Sequence, residues 1–151
     1  MWNVIVASSN IVAIIPVHIA INRHDYLSAG CLVFVMAASI VSHLFASHKH
    51  GQVGFGCVPK ISKLFDVCDV LGCVLLATRL LHLFVVSQNK SALICHLMPS
   101  LMFSLIVNIM SEWDKTAGSR HFFVLAHCVW HILIFYWIGR FFNELDNFVV
   151  L

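Results

Sequence analysis

The chain has 151 residues, of which 60% are hydrophobic and 11% are charged. Soluble domains are about 45–50% apolar and about 25% charged, so this composition excludes a water-soluble monomer and predicts that the bilayer is the solvent. The net charge of +2 provides no basic stripe to follow a phosphate backbone, which argues against a nucleic-acid partner.

Five stretches of the sequence have about the 20 apolar residues that a helix needs to cross the hydrocarbon core. The first contains a polar interruption, Ser8-Ser9-Asn10, and a proline, Pro16. No linker separates independent domains, so we predict one all-α transmembrane bundle over residues 1–151, a multipass membrane protein. The predicted spans are residues 3–21, 29–47, 65–86, 92–110 and 121–142.

Polar residues inside these spans are candidate functional residues, because an ionisable side chain in hydrocarbon costs at least about 2.5 kcal/mol. Three pairs have a spacing of three or four, which places both members on one helix face. The pairs are Ser39 with His43 in the second span, Asp66 with Asp69 in the third, and His127 with His131 in the fifth.

The three pairs are expected to lie at one depth in the membrane. The pair of the second span lies near the end of that span, whereas the pairs of the third and fifth spans lie nearer the start of theirs. Because successive spans alternate in direction, these positions fall towards the same membrane face. Three imidazoles, a carboxylate and a hydroxyl at one depth predict a zinc site. In it His43, His127 and His131 bind the ion and water takes the open position.

Other interpretations of these residues stay open at this stage. The chain has ten histidines, so an H-x-x-x-H pair would arise by chance roughly half the time. Each histidine could instead bond a carbonyl or hydroxyl of a neighbouring helix. His48 and His50 form an alternative metal cluster with His43, although they flank a glycine in a loop expected to be solvated. A nucleophilic Ser39 would need an oxyanion nest and a group orienting its histidine, and neither is evident.

A family resemblance is carried by three segments: SSNIVAIIPVHIAINRHDYLSAGCLVFVMAASIVSHLF, VCDVLGC and AHCVWHIL. The order S-x-x-x-H, then D, then H-x-x-x-H is similar to the signature of the CREST superfamily of membrane hydrolases, which includes alkaline ceramidases and adiponectin receptors. The segments most resemble its transmembrane protein 8 and myomaker branch. The resemblance covers about residues 8–86 and 121–136.

Carried over to this sequence, the resemblance implies that His43, His127 and His131 bind zinc. It implies that Asp69 is the carboxylate of the motif and that Ser39 supports the site, whereas Asp66 has no motif match. It also implies a shortened form of a seven-helix fold, since one span stands where three are expected. A homo-oligomer is one way to enclose a lipid-sized cavity with fewer spans.

The function implied is a zinc-dependent hydrolase of a membrane lipid, with Asp69 accepting a proton and Ser39 bonding the water or the developing oxyanion. The resemblance to transmembrane protein 8 implies a glycosylphosphatidylinositol lipid as the substrate. The resemblance to the alkaline ceramidases implies an N-acyl sphingolipid. The alternative is a non-enzymatic protein, a myomaker-like fusion factor or a scaffold, with a structural metal or a hydrogen-bonded histidine cluster. A proton or metal conduit would need polar residues at successive depths, whereas these lie at one level.

Overall fold

A computed structural model of the chain describes residues 2–45, 59–88, 90–117 and 120–147. The described residues form five helices, each long and apolar enough to cross a membrane, which confirms the predicted all-α class. These helices are α1 (Trp2–Asn22), α2 (Tyr26–Phe45), α3 (Pro59–Val86), α4 (Lys90–Ala117) and α5 (Arg120–Asn147).

Several helices extend beyond the predicted spans. α3 begins at Pro59, before the predicted start at residue 65, and α4 continues to Ala117, past the predicted limit at residue 110. α5 ends at Asn147, beyond the predicted residue 142. Hydropathy detects only the part of a helix that lies in hydrocarbon, whereas backbone hydrogen bonds can continue the helix into the interface. The predicted end of the second span and the alternative ligands His48 and His50 lie outside the described residues.

α1 is not a uniform helix. Its two α-helical parts, Trp2–Ser9 and Ile14–Asn22, are joined by a 3-10 turn over Asn10–Ala13. Pro16 follows this turn and has no N–H to donate to a carbonyl four residues earlier, which disfavours α-helical bonding there. The polar interruption in the sequence therefore coincides with the change in helix geometry.

The connection between α1 and α2 is a tight turn. The amide of His24 donates to the Ile21 carbonyl and that of Asp25 to the Ala20 carbonyl, both at 2.9 Å, which is the Schellman pattern that ends a helix. His24 has a φ of 57°, in the left-handed region where glycine is usual. Asp25 then begins α2, because its carboxylate accepts the amide of Ser28 at 3.1 Å as an N-cap does.

The five helices form a chain of neighbours in space. α1 packs against both α2 and α5, while α3 packs on the far side of α2 and α4 on the far side of α5. The outer spans of α3 and α4 are 11% and 17% buried, compared with 44% for α5, so much of their surface faces lipid. The site described below therefore depends mainly on α1, α2 and α5, with α3 and α4 on its flanks.

Candidate metal centre

Three histidines from two helices meet inside the bundle, towards the end of α2 and the start of α5. His43 comes from the last turn of α2, and His127 and His131 come from successive turns of α5. All three are buried, at 7%, 8% and 5% relative exposure. One nitrogen from each ring lies within 4.8 Å of the others, so this group could hold a metal ion.

The rings are arranged around a common point. The His127 and His131 ring centroids are 4.8 Å apart, and the His43 centroid is 4.9 Å from His127 and 5.3 Å from His131. All three pairs are tilted edge to face, so the rings do not stack on one another. Zinc binds imidazole nitrogen at about 2.0–2.1 Å in a tetrahedron, which requires nitrogens about 3.4 Å apart. Small ring movements therefore suffice for this donor set to fit zinc.

The two carboxylates of α3 face serines of α2. The Ser39 hydroxyl donates a hydrogen bond to Asp69, and the Ser42 hydroxyl donates to Asp66 Oδ1 at 2.8 Å. The two pairs are consistent with one antiparallel register of α2 against α3. Ser39 is one turn before His43, so its partner Asp69 lies on the flank of the histidine group. Asp69 is not one of the residues whose possible ligand atoms lie within 4.8 Å of one another.

The close packing of α2 and α3 depends on a glycine. A Cβ atom added at Gly72 would lie 3.0 Å from Val35 Cγ2 and 3.3 Å from the Val35 Cα. Gly72 is one turn after Asp69, and Val35 is one turn before Ser39. The absence of a side chain at Gly72 therefore allows the approach that joins Asp69 to Ser39.

Two serines that the sequence motif did not include also contact the histidines. Ser9 Oγ of α1 is 2.7 Å from His131 Nδ1, and Ser111 Oγ of α4 is 3.4 Å from His127 Nδ1. The only sequence signal for Ser9 was the polar interruption of the first span. Ser111 was missed because it lies just beyond the predicted end of the fourth span.

Arg79, His82 and His121 make contacts outside the histidine group. Arg79 of α3 donates to Asp25 Oδ1 at 2.9 Å and to Ser28 Oγ at 3.1 Å, near the start of α2. His82 contacts Arg79 at 3.1 Å, and the His121 ring packs edge-on against Trp2. These contacts lie apart from the histidine group and do not extend it.

A viral protein is similar to this one along almost the whole chain. An uncharacterized protein of Acanthamoeba polyphaga mimivirus is 31% identical over 155 residues, and the match covers 99% of each chain. The chain belongs to the same family as this viral protein. Because the match runs almost end to end, neither chain has a long insertion relative to the other. No family model matches the chain, and no solved structure matches it.

Proposed function

We propose that the protein is a zinc-dependent hydrolase of a membrane lipid, a shortened relative of the CREST enzymes. The observation that carries the proposal is the buried group of His43, His127 and His131, with one nitrogen from each within 4.8 Å. Catalytic zinc sites use three protein ligands and keep a position open for water or substrate. Among the described side chains this group has three members, which supports a catalytic arrangement over a closed structural one.

Each residue of the centre has a part in this proposal. His43, His127 and His131 would hold the ion. A bound zinc ion supplies a Lewis acid for the lipid carbonyl and makes water nucleophilic at neutral pH. Asp69 would accept a proton from the attacking water as general base. Ser39 donates its hydroxyl hydrogen to Asp69 and so directs the carboxylate.

An apolar groove supports a lipid as the substrate. It lies between α3, α4 and α5, has a cavity volume of about 550 Å³ and includes Leu80, Leu97, Ile134 and Trp137 in its lining. Pockets of 300–1,000 Å³ with mainly apolar walls are typical of small-molecule sites. Ile134 is one turn from His131 on α5, so one end of the groove lies near the histidines.

A non-enzymatic role is the second candidate, and one observation favours it. The hydrogen bonds of Ser9 to His131 and of Ser111 to His127 join α1, α4 and α5 without any ion. Polar side chains joined in this way stabilise helix contacts in membranes by about 0.6 kcal/mol on average. The same cluster could therefore serve a fusion factor or a scaffold, and an activity assay distinguishes the two candidates.

The test is lipid hydrolysis by the purified, zinc-loaded protein in nanodiscs, with an N-acyl sphingolipid, a glycosylphosphatidylinositol lipid and an ester phospholipid as separate substrates. Asp69→Asn should lower kcat on the preferred lipid by about 10²- to 10⁴-fold, the usual contribution of a general base. Asp66→Asn is the matched control, because Asp66 also accepts a serine hydroxyl from α2, and it should retain the parent rate.

Two results would contradict the proposal. A zinc-loaded parent that hydrolyses none of the three lipids would favour the scaffold. Hydrolysis at the parent rate by Asp69→Asn would remove this carboxylate from the mechanism.

A further inference from the structure

The Ser9 contact with His131 has a defined direction. Ser9 Oγ is 2.6 Å from the Val6 carbonyl oxygen and 2.7 Å from His131 Nδ1. A carbonyl can only accept, so the single hydroxyl hydrogen of Ser9 goes to Val6. Ser9 Oγ must then accept from the ring, which places a hydrogen on His131 Nδ1.

Ser111 of α4 makes the same pattern with His127. Its hydroxyl donates to the Asn108 carbonyl at 2.8 Å. The contact of His127 Nδ1 with Ser111 Oγ at 3.4 Å therefore also has the ring as donor. At this distance the bond is weaker than that of His131, since N–H···O bonds are usually about 2.7–3.2 Å. Ser111 is 0% exposed, so water does not compete with it.

We propose that Ser9 is a positioning residue of the metal centre, which fixes the His131 ring in the tautomer with hydrogen on Nδ1 and leaves Nε2 to bind the ion. Ser111 does the same for His127 through the longer contact. A histidine that binds a metal usually donates its other ring N–H to such an outer partner, and the partner sets the tautomer and the ring orientation. The inference rests on the proposed function for the ion, but the tautomer does not depend on it.

The place of Ser9 in α1 distinguishes it from the neighbouring Ser8. Ser9 is the last residue of the first α-helical part, directly before the 3-10 turn over Asn10–Ala13. α1 contacts α5 along both parts and the turn. Ser8 precedes Ser9 and is exposed at the bundle surface. Two adjacent serines in one span therefore differ in whether they contact the proposed centre.

The experiment compares zinc affinity, measured by chelator competition, across serine variants. Ser9→Ala should raise the Kd for Zn²⁺ by about 10- to 100-fold, the usual cost of losing an outer partner. Ser8→Ala should leave the Kd unchanged, and Ser9→Thr should restore binding because it keeps the hydroxyl. Ser111→Ala should have a smaller effect than Ser9→Ala. Its control is Ser104→Ala, which removes a buried hydroxyl that bonds the Leu101 carbonyl at 2.8 Å.

The tautomer itself is read from ¹⁵N NMR of histidine-labelled, metal-free protein at a pH where the rings are neutral. The parent and Ser8→Ala should show hydrogen on Nδ1 of His131, and Ser9→Ala should lose this preference. Hydrogen on Nε2 in the parent, or an unchanged Kd in Ser9→Ala, would overturn the inference. If Ser9→Ala does not fold, the Kd of Ser9→Thr for Zn²⁺ and the NMR spectrum of the parent still test the inference. A parent that binds no zinc would overturn the proposed function, while the same spectrum still tests the tautomer.

Discussion

Asp25 shows how one side chain can join two helices at the membrane face remote from the histidines. Its carboxylate caps α2 through the Ser28 amide and receives the Arg79 guanidinium of α3 at 2.9 Å. Partial burial on its own would raise the pKa of Asp25, but the hydrogen bonds from Ser28 and Arg79 outweigh it and hold the pKa below its ordinary value of 3.8. Because the pKa of Asp25 is lower in the folded protein than in the unfolded chain, the ionised carboxylate stabilises the fold.

The stabilisation from Asp25 should therefore depend on pH in one direction. It is fully present above the ordinary pKa of 3.8 and is lost as the pH falls through the lower pKa of the folded protein. Asp25→Asn keeps a capping oxygen but removes the charge, so it should destabilise the protein by about 1.5–3 kcal/mol near neutral pH. Unfolding in detergent over a pH series measures this difference. If the difference in unfolding free energy between the parent and Asp25→Asn stayed constant as the pH fell, the assigned ion pair would be contradicted.

At the scale of elements, the α2–α3 pair connects packing to the proposed chemistry. Gly72 packs so closely against Val35 that an added Cβ would lie 3.0 Å from Val35 Cγ2. The same interface joins Ser39 to Asp69. A large side chain at Gly72 would push α3 away from α2. The three histidines are on α2 and α5, so they would be affected less than Asp69.

Gly72→Leu should therefore destabilise the protein by about 1–3 kcal/mol through overpacking. It should lower lipid hydrolysis more than it lowers zinc content. Gly30→Leu is the matched control, because Gly30 is also in a helix of this pair and a Cβ there meets nothing within 4 Å. Detergent unfolding, zinc content and hydrolysis are measured on both variants. Equal stability and activity in the two variants would show that the close approach at Gly72 is not needed.

The elements were more predictable from sequence than their ends and their contacts. Five apolar stretches were sufficient to predict five helices, because hydrocarbon requires each span to satisfy its own backbone. The continuation of α4 to Ala117 was missed because polar residues reduce hydropathy without ending a helix. The i,i+4 spacing could place His127 and His131 on one face. It could not show that Ser9 reaches them, since this contact depends on how α1 packs against α5.

For the whole molecule, the main question is whether five spans suffice for a centre of this kind. The described helices place α1 between α2 and α5, so the histidines are enclosed by the first, second and last spans. The spans that the CREST resemblance would add fall between α3 and α5, outside this set. The viral relative matches almost end to end, so the two chains have nearly the same length. A cluster of three histidines is therefore compatible with the smaller bundle.

The central claim is that these histidines hold a metal ion, and metal analysis of the purified protein tests it most directly. We expect stoichiometric zinc in the parent and its loss in His127→Ala and in His131→Ala, because each removes one of three ligands. His121→Ala should retain zinc, since His121 is on the same helix but packs against Trp2. Zinc at the parent level in both cluster variants, or a parent that binds none, would contradict the account.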